Sequence, residues 1–123
     1  GEKLAELTLT GEKAGFGRLL SVRADFPDLW REIQRGATHF RDSALDPKRH
    51  LPFAFGTTSV EIASCTFYRE SLNGTASVIY TGDPAGRTLP FSSITTAKLG
   101  NVADISDILV LVRYVVGSRP PSG

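Results

Sequence analysis

Between Ile108 and Val116 a single charge, Arg113, interrupts an otherwise apolar and aromatic run. Split by alternate positions, the run gives Ile108, Val110, Val112, Tyr114 and Val116 on one side and Leu109, Leu111, Arg113 and Val115 on the other. Both sets are dominated by β-branched, aliphatic or aromatic residues, the signature of a strand apolar on both faces and hence central in a sheet. Asp104, Ser106 and Asp107 precede the run, and Gly117 and Pro120-Pro121 follow it, so turn and breaker residues bound it on both sides. Arg113 is expected to extend its guanidinium to the sheet edge or to pair with a nearby carboxylate.

The rest of the chain supplies partners for such a strand. Ser59 to Arg69 carries Val60, Ile62, Cys65, Phe67 and Tyr68. Its apolar phase moves from even to odd positions between Ile62 and Cys65, which predicts a bulge near Ala63-Ser64 or burial on both faces. Leu72-Asn73-Gly74-Thr75 then offers Asn-Gly, the favoured centre of a type I′ turn, so Ser59–Arg69 and Thr75–Thr81 are expected to form an antiparallel hairpin. Asn73-Gly74-Thr75 also matches a glycosylation sequon, for which the turn is the simpler explanation. Thr81 to Arg87 is turn chemistry throughout, and Thr88 to Ile94 reads as an edge strand or loop. Lys3 to Thr10 and Phe16 to Val22 are expected strands.

One segment has helical character. Leu29, Ile33 and Trp30 share a face at helical spacing, Pro27 suits a first turn, and Gly36 suits the position after the last one. A short helix is predicted near residues 27–35. The expected fold class is therefore all-β: an antiparallel β-sandwich of five to seven strands with that one helix, forming a single domain over residues 1–117 with a flexible tail at 118–123.

Composition excludes more than it assigns. The chain has 123 residues, 14 Lys+Arg against 13 Asp+Glu, one Cys and two His. A chain of this size buries roughly two-thirds of its unfolded surface and needs no staples. A near-zero balance argues against a dedicated nucleic-acid binder. One Cys and two His make neither a disulfide framework nor an ordinary structural zinc site. No run approaches the ~18 apolar residues of a membrane span, and Gly1-Glu2-Lys3-Leu4 does not read as a signal peptide.

Chemistry-bearing residues gather mainly between His39 and His50, with Asp42, Ser43 and Asp46 between them. They would serve a small hydrolase only if they converged at hydrogen-bond range. A solvated loop in which Asp46-Pro47 starts a turn is the plainer expectation, and metal binding by the two His with Asp42 or Asp46 lacks a face-sharing spacing. Lys48, Arg49 and His50 form a small basic patch. Cys65 reads as a buried small hydrophobe, and Gly15-Phe16-Gly17-Arg18 as a kink rather than a phosphate loop. Trp30, Tyr68 and Tyr80 are candidate stacking platforms for a carbohydrate. No catalytic, cofactor-binding or metal residue is expected, and the partner-binding residues are left open.

Two segments together resemble a known family. Asp46-Pro47-Lys48-Arg49-His50-Leu51-Pro52-Phe53, followed by Asp104-Ile105-Ser106-Asp107-Ile108-Leu109-Val110-Leu111-Val112-Arg113-Tyr114, resembles the C-terminal end of the A subunit of bacterial Tc toxin complexes. Asp25-Phe26-Pro27-Asp28-Leu29-Trp30 is similar to a further element of such β-rich tails. Ala54 stands where the family pattern has Glu, and the stretch from Thr88 to Gly100 does not follow it. The resemblance implies a β-sandwich at the end of a large secreted or surface-displayed pore-forming subunit, docking a partner subunit, the B component. The expectation is thus a non-enzymatic protein-interaction module without a cofactor. Carbohydrate recognition and a small hydrolase using the His39–His50 loop are the alternatives. Within the motif, Ser106 and Asp107 are expected to satisfy backbone groups where the strand begins, and Leu51-Pro52-Phe53 to plug one end of the sandwich.

Overall fold

The long apolar run becomes a strand of twelve residues, β6 (Ile105–Val116), in the computed structural model, which describes residues 16–51, 59–84 and 86–116. It is central, as its two apolar sides demand. It pairs on one side with β1 (Phe16–Ser21) and on the other with β3 (Val60–Ser71), and β3 pairs in turn with β4 (Ala76–Gly82). The result is a four-stranded antiparallel sheet in the order β1-β6-β3-β4. Two short strands, β2 (Ser43–Ala44) and β5 (Thr88–Leu89), form a separate antiparallel ladder. The described residues are mostly strands in antiparallel sheets with a few short helices. The expected strand at Lys3 to Thr10, Pro52-Phe53 and the tail from Gly117 lie outside the described residues.

Register shows why β3 changes phase. Ile62 faces Tyr114 and Ser64 faces Arg113, so Ala63 is the extra residue of a bulge. That single insertion brings Ile62 and Cys65 to the same buried face, as the sequence pattern anticipates. A second step, with Phe67 facing Tyr80 and Tyr68 facing Val78, makes Ile79 the extra residue of edge strand β4.

The hairpin between β3 and β4 forms, but not around a type I′ turn. Positive φ occurs at Gly74 (φ 91) and at no non-glycine described residue, so Asn73 cannot occupy the left-handed region that type I′ requires. Instead the Gly74 N–H donates to the Ser71 carbonyl, and the Ser71 N–H to the Thr75 carbonyl. The Asn73 side chain accepts from the Thr75 N–H. This is a three-residue loop whose glycine takes the left-handed position.

The inner face of the sheet is covered by the long connections. α1 (Val22–Asp25) and α2 (Pro27–Gln34) follow β1, and α3 (Pro47–His50) precedes β3. A 3₁₀ turn at Phe91–Ser93, α4 (Thr96–Leu99) and a 3₁₀ turn at Val102–Asp104 lead into β6. α2 is the helix expected near 27–35: Phe26 is its N-cap residue, Pro27 opens it, and Gly36 (φ 76) lies just beyond Arg35 at its end. It buries Leu29, Trp30 and Ile33. The expectation of only one helix is corrected, since three more single-turn helices occur. Each begins at a short polar side chain that takes an otherwise orphaned N–H: Ser21 from Ala24, Asp46 from Lys48, and Thr95 from Lys98. Four-residue helices are too short for a hydrophobic period to reveal them.

A run of aromatic contacts ties this layer to the sheet. Phe67 on β3 meets Phe91 edge-on with ring centroids 5.0 Å apart, and Phe91 meets Phe26 at 5.4 Å. Phe26 in turn stacks on His50 at 4.9 Å. Each such aromatic pair adds about 0.5–1.5 kcal/mol beyond burial, so the rings fix how three distant segments sit over the strand.

Candidate functional site

The His39–His50 segment does not assemble into one hydrogen-bonded set. His39 is exposed, whereas His50 ends α3 and is 3% exposed against Phe26. The Asp46 N–H meets His50 Nδ1 at 3.1 Å, and the Asp46 carboxylate serves α3 by accepting from the Lys48 N–H. Asp42 instead accepts from the Ser92 N–H and hydroxyl, at 3.0 and 2.7 Å. Ser43 sits in β2 opposite Leu89. The sequence placed both His in a wet loop, and the basic patch included His50; burial of that ring corrects both, leaving Lys48 and Arg49 exposed. The described residues contain no group of three or more His, Cys, Asp or Glu that could hold a metal ion.

Cys65 is fully buried, and burial, helped by Asp83, pushes its thiol pKa up to about 11. Tyr114 is also fully buried; burial raises its pKa, and Arg18 opposes the rise. The Tyr114 hydroxyl, Arg18 Nε and His50 Nε2 are buried without a hydrogen-bond partner among the described residues. The three candidate stacking rings go to different places. Trp30 is on the buried side of α2, Tyr80 leans edge-on against Phe67, and Tyr68 belongs to the opposite side of the sheet, facing Leu109 and Val78 in register.

Ser106 and Asp107, at the head of the motif in β6, satisfy groups where the strand begins. The Ser106 hydroxyl bonds with the Glu70 and Ser71 carbonyls and with the Glu70 carboxylate. Asp107 is nine-tenths buried and accepts from the Ser21 hydroxyl at 2.6 Å, the Arg23 N–H at 3.0 Å and the Ile108 N–H at 2.7 Å. One carboxylate thus pins the end of β1, the start of α1 and the course of β6. Arg69 plays a comparable part on β3, donating to the Leu99 and Asn101 carbonyls and to the Ser71 hydroxyl.

The outer face of the sheet is different. Its rows across the strands are Ser21–Leu109–Tyr68–Val78 and Leu19–Leu111–Thr66–Thr81, with Gly17–Arg113–Ser64 beyond them. Leu19 and Val78 are each 56% exposed, and Leu109, Leu111, Val115 and Tyr68 are half-buried, whereas Val110, Val112 and Tyr114 on the inner face are fully buried. β6 is thus central in its sheet, as expected, while only one of its two apolar sets is fully buried. Arg113 belongs to the outer face: a side chain built at Gly17 would come within 3.9 Å of its guanidinium. Gly17 lies inside β1, so the expected kink at Gly15–Arg18 is replaced by strand from Phe16 onward. Arg113 makes no ion pair among the described residues.

A second candidate is a groove of about 530 Å³ beside α2, lined by Arg23, Trp30, Gln34, Leu72, Ile105 and Ser106 among others. The outer face carries Leu19, Leu109, Leu111, Tyr68 and Val78, spread over all four strands with Ser21, Thr66 and Thr81 among them. Sequence reasoning singled out only Tyr68 and Arg113 from it. Its signal was present in the second apolar set, Leu109, Leu111 and Val115, for which the described connections supply no cover.

No family model, no curated protein and no solved structure matches this chain.

Proposed function

We propose that this chain is a non-enzymatic protein-interaction module that docks a neighbouring subunit through the outer face of its main sheet. The observation that carries the proposal is the exposure of Leu19 and Val78 beside half-buried Leu109, Leu111 and Tyr68 on one face of the sheet. Apolar rows of this extent on a sheet face mark an interaction surface more often than an idle one. A second sheet laid on that face would give the antiparallel β-sandwich that the alternation in β6 calls for, with the second layer coming from a partner.

The setting proposed is a secreted or surface-displayed toxin-type assembly. It rests on the resemblance of Ile105–Tyr114 and the Arg49–Phe53 stretch to the end of a Tc A subunit. Ser106 and Asp107 have structural roles in that motif, so the motif speaks for the fold, and the outer face speaks for binding. Mixing the chain with a Tc B component tests the reading by size-exclusion chromatography and calorimetry. A complex that forms with the native chain and is lost in Leu111→Lys is expected; no heat and no co-elution at tens of micromolar would overturn it.

A further inference from the structure

We infer that the subunit taken by the outer face is a second copy of this chain, packed sheet to sheet with its strands antiparallel; this rests on the interaction-module reading above. Charge placement is the reason. Along the outer face, Glu70 lies at one end and Arg113 at the other, with the Leu109 and Leu111 rows between them; Asp107, in the Glu70 row, is buried and held by Ser21, Arg23 and Ile108. Asp107 and Arg113 are each three residues from Val110. A twofold axis crossing β6 at Val110 therefore exchanges the Leu109 and Leu111 rows and lays Arg113 of each copy on the row that carries Glu70 of the other.

The alternative stacking, with strands parallel, would set the two Arg113 rows over each other and the two Glu70 rows over each other, which like-charge repulsion disfavours. Arg113 is exposed and has no ion pair within the described residues. Glu70 is half-buried and uses one carboxylate oxygen on Ser106, leaving the other to accept across the interface. Glu61, beside Val115 in register, lies one row beyond Arg113 and faces the margin of the contact. The centre is aliphatic and the two ends carry opposite signs, the arrangement that makes a twofold contact self-complementary.

Size sets the strength. Four strands at ~4.8 Å spacing and six residues at ~3.4 Å give a footprint of ~19 by ~20 Å on each copy. That is below the size of a standard specific interface, so only weak, reversible self-association is expected.

Sedimentation equilibrium of the full chain, from micromolar to millimolar concentration, tests this directly. The native chain is expected to move from monomer to dimer across the range, and Leu111→Lys to weaken association about tenfold or more. Arg113→Glu and Glu70→Lys are each expected to be monomeric when alone and to form a mixed dimer when combined, because the mixture restores both opposite-charge contacts. Circular dichroism and urea titration of each variant confirm that the fold is kept. A native chain that stays monomeric at millimolar concentration overturns the inference, as do a dimer indifferent to Leu111→Lys and a mixture that stays monomeric. The B component would compete for the same face, so a chain that stays monomeric yet binds it through Leu111 would remove the second copy and leave the interaction module standing.

Discussion

The two faces of the main sheet are built from the same strands and from similar side chains, yet they end in opposite environments. On the inner face Phe67, Val110, Val112 and Tyr114 are fully buried beneath helices and turns. On the outer face Leu19 and Val78 stay more than half exposed. The cause lies in the connections. Both long crossings, from β1 toward β3 and from β4 to β6, put their described helices and turns on the inner side, anchored by the rings of Phe26, Phe91 and His50. Among the described residues, helices and turns close one face of the sheet, while the other keeps Leu19 and Val78 open.

The contrast can be broken by mutation. The largest effect is expected for Phe67→Ala, which leaves a cavity against Phe91 and Tyr80 and should cost about 4 kcal/mol in urea unfolding. Leu111→Ala on the same sheet should cost no more than about 1 kcal/mol at dilute protein concentration, because its surroundings can fill with water. Equal losses at the two sites would end the distinction between the faces.

Next in size is Asp107→Ala. It strips partners from the Ser21 hydroxyl and from the Arg23 and Ile108 N–H groups, and a loss of about 3 kcal/mol is expected. Hydrogen exchange should then speed up first at the β1–α1 junction. A uniform change over the whole sheet would show that the carboxylate does not act as a local pin.

The inner face also predicts a pH dependence. The Cys65 thiol ionises near 9.0 when unfolded and near 11 when folded, so ionisation favours the unfolded chain between those values. Stability from this group is intact below pH 9 and falls by about 2–3 kcal/mol as pH rises to 11. Tyr114, raised from 10.0 by burial, adds to the loss in the same direction. Urea midpoints across this window should fall, and Cys65→Ala should remove part of the slope; an undiminished slope would assign the alkaline loss elsewhere. The smallest effect is expected on the open side, where Leu19→Ser and Val78→Ser should change monomer stability by about 0.5 kcal/mol or less.

Much of the sheet was legible in the residues. The central strand, the Ala63 bulge, the β3–β4 hairpin and the helix from Pro27 each follow from a local pattern of alternation, phase or breakers. The turn type was misread because Asn-Gly also fits a three-residue loop, in which Gly74 alone needs positive φ. His50 was misread because a polar flank, Lys48 and Arg49, hides the one ring in that stretch that stacks on Phe26. The single-turn helices escaped because each depends on one capping contact rather than on a period.

By itself the sequence determined which side chains would stand together. Alternation in β6 separates Ile108, Val110, Val112 and Tyr114 from Leu109, Leu111, Arg113 and Val115, because successive residues of a strand point to opposite sides. Which of the two sets would be covered was decided only in the tertiary structure. Cover comes from segments far away in sequence, held over the sheet by Phe26, Phe91 and the bonds of Asp107. Alternation is a property of neighbouring residues, whereas closure of a face depends on the path of the whole chain.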